Sequence, residues 1–152
     1  MAWGPNRTYV TVSPNYVMRD VFVGSYGFNR WLNGMTAAQS ASLSDDADKY
    51  IALPATQTDR IPVTGDCIEE WAMPRDTDDV PTDLQSPLPH WSGAGKPPPG
   101  PSGTMAYFCI DRHRRAINLV FLDGHAQRVE LSELWMLKWN NQFTPRRVHV
   151  PD

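Results

Sequence analysis

No apolar run in this 152-residue chain approaches the roughly 20 residues that a membrane-spanning helix requires, so nothing in it reads as a transmembrane anchor. Basic charge is not in excess either. With 14 Lys and Arg against 17 Asp and Glu, the net charge of −3 gives no electrostatic ground for nucleic acid as a partner. The four histidines, His90, His113, His125 and His149, lack His-x3-His spacing and the two cysteines lack Cys-x2-Cys spacing, so no zinc site or other metal centre is expected. There is no Gly-x-Ser-x-Gly elbow and no phosphate-cradling glycine loop. The chain therefore reads as a non-enzyme, with no cofactor and no catalytic residues.

Proline and glycine are abundant instead. Fourteen Pro and ten Gly exceed average usage and imply many loops between short strands, with few long helices. The length suits one domain, residues 1–152, with a core of its own. Cys67 and Cys109 lie on stretches read as neighbouring strands, 61–69 and 105–111. In an oxidising compartment the two can form a disulfide; otherwise they are two buried free thiols.

The most informative stretch is 108–131, where His113 is followed, after nine residues, by Asp123-Gly124. A strand ending near His113, a turn through Arg114, Arg115 and Ala116, a strand from Ile117 to Leu122, a reversal, and a return from Ala126 to Leu131 make a β-meander over 105–131. Asp-Gly favours a two-residue type I′ reversal, in which both central positions need φ > 0. Closing it with Leu122 opposite His125 sets Asn118 against Val129 and Val120 against Gln127. Arg112, Arg114 and Arg115 read as a solvated hairpin end. Ser132 is the expected N-cap of a short helix over 132–140 that returns Leu131, Leu134, Trp135 and Trp139 to the sheet. Residues 146–152 read as a loose tail.

Upstream, 7–12 and 15–23 read as extended chain, and 25–32 brings Tyr26, Phe28 and Trp31 together as core aromatics. Residues 36–52 are the one helical candidate before the C-terminus, ended by Pro54, and 58–69 reads as a strand. Residues 74–103 hold eight prolines, the acidic Asp76, Asp78 and Asp79, and Lys96-Pro-Pro-Pro-Gly-Pro101, which favours polyproline II. They read as a long surface loop pinned by Trp91.

The His-x9-Asp-Gly spacing, with an apolar strand before the Asp and Leu131-x-x-Leu-Trp-x-Leu-Lys-Trp139 after it, resembles the C-terminal domain of the prepilin-type H-X9-DG proteins, pseudopilin-like relatives of type II secretion subunits. A second stretch, with Ser25, Tyr26, Gly27 and Asn29, is similar to the Ser-Tyr-Gly-x-Asn segment of that family, and Ile61-Pro62-x-x-x-Asp66 fits the strand that lies beside the final meander. Together these cover about a third of the chain. The resemblance implies an α+β fold built on an antiparallel sheet, with few short helices. It implies a structural, non-catalytic subunit, exported to the cell envelope or beyond, whose partners are other pseudopilin-like subunits or secretion-system components. Family members begin with a basic leader, a Gly-Phe-Thr-Leu-x-Glu processing site and an apolar helix that provides the membrane contact. This chain starts Met1-Ala-Trp-Gly-Pro5 without them, and the expectation is a soluble domain of a longer protein or a variant that has lost export.

The motif reads as architectural. His113 and Asp123 flank a strand of six residues, which at ~3.3 Å each holds them about 20 Å apart, too far for a catalytic dyad. Asp123-Gly124 makes one reversal and His113 hydrogen-bonds backbone at the other, while Asp111 and His113 form a surface couple. Major type II pseudopilins carry calcium in a C-terminal loop, and Asp76, Asp78, Asp79 and Asp83 are the acids such a site would use here, although an acidic loop is more simply solvated. The rival reading is a carbohydrate- or ligand-binding module using exposed tryptophans among Trp31, Trp71, Trp91, Trp135 and Trp139. A hydrolase would need a cleft joining His125, Asp66 or Glu130, and nothing in the sequence assembles one.

Overall fold

Alternation in one strand sets the centre of the fold. Along β6 (Ala116–Phe121), Ile117, Leu119 and Phe121 are buried while Asn118 and Val120 face outward, the period-two pattern of a half-buried strand. The computed structural model describes residues 12–13, 16–17, 26–32, 47–69, 71–84 and 104–151. β6 pairs antiparallel with β7 (Ala126–Glu130) on one side and β4 (Pro62–Asp66) on the other. β4 pairs antiparallel with β3 (Tyr26–Asn29), and β3 pairs parallel with β5 (Trp71–Ala72), giving the order β5-β3-β4-β6-β7. The sheet is thus mixed, where a purely antiparallel one was expected. A separate antiparallel pair joins β1 (Val12–Ser13) to β2 (Tyr16–Val17); Val12, Tyr16 and Val17 fall in the stretches read as extended.

Gly27 explains the parallel edge. Between Asp66 at the end of β4 and Trp71 at the start of β5, the chain passes to the far side of β3. A Cβ on Gly27 would lie 2.2 Å from the Glu69 carbonyl oxygen and 2.7 Å from Cys67 Sγ. Only a residue without a side chain lets the crossing backbone come this close.

The β6–β7 reversal also differs from the expected type I′ turn. Gly124 has φ +92°, Asp123 is not among the residues with positive φ, and the Phe121 N–H donates to the His125 carbonyl at 2.9 Å. This is a three-residue loop whose glycine supplies the left-handed position. The Asp123 carboxylate accepts the His125 backbone N–H at 3.1 Å, which ties the loop without requiring φ > 0 at Asp123. The register therefore shifts by one: Asn118 faces Arg128, Val120 faces Ala126, and buried Ile117 faces buried Val129. The expected register set polar Asn118 against Val129, and burial of the apolar pair rules it out.

Other boundaries move as well. Residues 105–111 are not the first strand of a meander: Met105–Tyr107 forms a 3-10 turn, and Met105, Ala106, Phe108, Cys109 and Ile110 are all buried, so the segment is enclosed and does not alternate. Cys67 and Cys109 are free buried thiols. Thr58–Arg60 is a 3-10 turn and only Pro62–Asp66 of the 58–69 stretch is strand. Of the expected helix over 36–52, Ala47–Lys49 is a 3-10 turn and 50–52 is not helical, while 36–46 lie outside the described residues. The C-terminal helix is a 3-10 helix, Leu131–Met136, with Glu130 rather than Ser132 in the N-cap position and no side-chain cap bond.

The core lies between the inner sheet face and this helix. Trp31, Trp135 and Trp139 are fully buried, and each indole N–H donates to a backbone carbonyl: Pro74 at 2.8 Å, Asp78 at 3.1 Å and Leu134 at 2.7 Å. Full burial of such side chains contributes about 3–5 kcal/mol each by truncation. Two of those carbonyls belong to the expected surface loop, so residues 74–84 are built into the molecule. Asp78, 2% exposed, accepts the backbone N–H groups of Arg75, Thr104 and Met105 through one oxygen at 2.9–3.0 Å. Residues 85–103, with Trp91, are outside the described residues. The tail is not loose: Arg146 donates to the carbonyls of Asp76 and Asp78, Val150 is buried, and Arg115 donates to the carbonyls of Val150 and Pro151.

Candidate interaction surface

The motif residues divide into two separate clusters. At the loop, His125 Nδ1 lies 2.6 Å from Asp123 Oδ1, and the His125 ring stacks on Phe121 with centroids 4.4 Å apart. The Asp123 carboxyl is held below its ordinary range, first by the side-chain bond to His125 and then by the backbone N–H of the same residue. At the opposite end of β6, His113 Nε2 lies 3.1 Å from Asp66 Oδ2, with Arg112 3.8 Å from the other carboxylate oxygen. The Asp66 carboxylate also accepts the Asn118 N–H at 2.8 Å. His113 and Asp123 are thus not brought together. The His113 N–H donates to the Ala116 carbonyl across a turn in which Arg114 and Arg115 have φ of 55° and 61°.

Asp66 is the partner of His113 that sequence spacing does not reveal, because it comes from another strand. Asp111 is not the couple expected for His113: its carboxylate accepts the Arg115 N–H at 2.7 Å. The arginine cluster is only partly solvated, since the Arg112 side chain is 8% exposed and donates to the Cys67 carbonyl. Asn29 is 3% exposed and holds three elements together, donating to the Pro62 and Trp139 carbonyls and accepting the Trp31 N–H. Ser25 lies outside the described residues. His113, Asp123, Gly124, Gly27 and Asn29 are thus engaged in contacts that hold the fold, whereas Tyr26 points outward. Among the described residues no group of three His, Cys, Asp or Glu side chains converges as metal ligands would, and Asp78, one of the acids considered for calcium, is occupied by three N–H groups.

The outer face of the sheet is different. Tyr26 and Phe28, expected in the core, are 63% and 61% exposed, because β3 alternates and directs Gly27 and Asn29 inward. Cross-strand register builds a row over all five strands: Trp71, Phe28, Thr64, Val120 and Ala126. Paired residues share a face, so this row is an outward stripe with three large apolar side chains. Trp71 is 40% exposed, and the Arg30 guanidinium sits 4.4 Å from its ring centroid. Beside them lies a groove of about 540 Å³ lined by Phe28, Arg30, Leu32, Val63 and Trp71. A second cleft, of about 650 Å³ and lined among others by Asp59, Arg60, Glu133 and Arg147, has balanced charges, and Arg60 there donates to the Met136 carbonyl.

The comparisons with protein-family models, with curated proteins and with solved structures found no match to this chain. Among the described residues, no helix is long and apolar enough to cross a membrane.

Proposed function

We propose that this chain is a structural, non-catalytic domain of a pseudopilin-like subunit, belonging to the cell envelope or exterior, that assembles by protein–protein contacts through the outer face of its sheet. The carrying observation is the outward placement of Tyr26, Phe28 and Trp71 on adjacent strands, an apolar stripe of the kind that marks interaction sites on soluble proteins. The consumption of His113, Asp123, Gly27 and Asn29 in fold-holding contacts supports the same reading, because it gives the motif a purpose without chemistry. The test is photo-crosslinking from position 28 in the cell that makes the protein. Crosslinks to further copies or to related envelope subunits support the reading, and their absence opposes it.

Trp71 and its arginine keep a second reading in view, a carbohydrate-binding platform. Of the five tryptophans that would serve it, Trp31, Trp135 and Trp139 are buried and hydrogen-bonded, Trp91 lies outside the described residues, and Trp71 is the exposed one. Saturable glycan binding lost on Trp71→Ala would favour this reading.

A further inference from the structure

We propose that the groove at the β3–β5 edge receives an acidic, apolar segment of the partner that docks on the outer face: an aromatic side chain lies against Phe28 and Trp71, and the carboxylate of the acidic residue next to it pairs with Arg30. The inference rests on the assembly reading above and names the chemistry of its partner. Register builds the groove. Phe28 of β3 stands beside Trp71 of β5, the strand ends at Asn29, and the 3-10 turn Arg30–Leu32 follows at once. There the Arg30 guanidinium lies 4.4 Å from the Trp71 ring centroid. Phe28, Leu32, Val63 and Trp71 give carbon walls to a space of about 540 Å³, and Arg30 brings the one charge among the lining residues. Asn29 also lines it, but its amide is spent on the Pro62 and Trp139 carbonyls and the Trp31 N–H.

A guanidinium held over an indole keeps its fork of N–H donors, which matches a carboxylate with two parallel bonds. Among the described residues no carboxylate pairs with Arg30. A partner seated on Phe28 and Trp71 strips solvent from this half-buried side chain, and a charge covered without a counter-ion is costly. A neutral apolar segment leaves that cost unmet, and a basic one adds repulsion. An acidic residue beside an aromatic one answers both the charge and the walls. The chain as a whole carries −3, so the positive edge is a local feature that orients an acidic segment and not a product of net charge.

The experiment titrates the full chain with three capped peptides, acetyl-Gly-Phe-Glu-Gly-amide and its counterparts with Gln or Lys in place of Glu, and follows the Trp71 indole resonance, identified by its loss in Trp71→Phe. The Glu peptide is expected to saturate with a Kd on the order of 1 mM. The Gln peptide should bind about fivefold more weakly and the Lys peptide more weakly still. Arg30→Gln should level the Glu and Gln peptides, and Arg30→Lys, which keeps the charge, should keep the preference for Glu. Equal binding of all three peptides, no saturation by the Glu peptide at about 20 mM, or a preference for Glu that survives Arg30→Gln overturns the proposal. Photo-crosslinking from position 28 in the producing cell, repeated with Arg30→Glu, separates the two readings. Loss of the adducts in Arg30→Glu is expected. Adducts that persist undiminished leave the assembly face standing and overturn its acidic occupant, whereas their absence with Arg30 intact overturns both.

Discussion

Gly27 leaves no room for a side chain where the crossover packs against β3. Gly27→Ala must displace the Glu69 carbonyl or the Cys67 side chain, and the expected loss is on the order of 1–3 kcal/mol in denaturant unfolding; an unchanged midpoint would mean that the crossover does not press on β3. The cysteines also permit a sharp test, since burial pushes both thiols up to about 12. Neither should react with a thiol reagent at pH 8 until the chain unfolds, and rapid labelling of the native protein would contradict their placement.

Asp78 and Asp123 respond to pH with opposite sign. Burial raises the Asp78 carboxyl above the ordinary 3.8 against the pull of three N–H donors. The folded state then holds this proton more tightly than the unfolded chain does, and stability is lost as pH rises from the unfolded value through the raised folded one. The Asp123 carboxyl is lowered, so its contribution is present above the unfolded value and is lost as pH falls through the folded one. A carboxyl NMR titration should place Asp78 above Asp123, and the reverse order would refute both assignments.

At the scale of elements, strand β6 and its return were legible, because alternation and the Asp-Gly reversal are local signals. The register was not, since it depends on whether Asp123 adopts positive φ or ties the loop with its carboxylate. Strong Hα–Hα NOEs are expected between Asn118 and Arg128 and between Val120 and Ala126, which are non-hydrogen-bonded pairs in the observed register. Contacts linking Asn118 to Val129 instead would restore the two-residue turn. Residues 105–110 misled for a different reason: an enclosed segment and a buried strand share a continuous apolar run, and periodicity does not separate them. Proline content likewise concealed that 74–84 is fixed in place, because the bonds that hold it come from Trp31, Trp135, Asn140 and Arg146, far away in sequence.

For the whole molecule, the sequence pointed to an α+β protein with a β-rich centre and to a motif that builds structure. It did not locate the exposed aromatic face of the sheet. Tyr26 and Phe28 looked like core because clustered aromatics usually are, and only the pairing of β3 with β4 and β5 shows that they point outward. The His113–Asp66 contact was hidden in the same way, as two residues on separate strands joined only by topology. On the proposed reading, the outer sheet face is where this protein meets its own kind. The most direct measurement is photo-crosslinking in the producing cell from position 28, on that face, against position 59, lining the cleft between the β6–β7 hairpin and the 3-10 helix. Crosslinks to further copies or related envelope subunits from 28 and none from 59 are predicted; equal yields from both, or none from 28, would contradict the account.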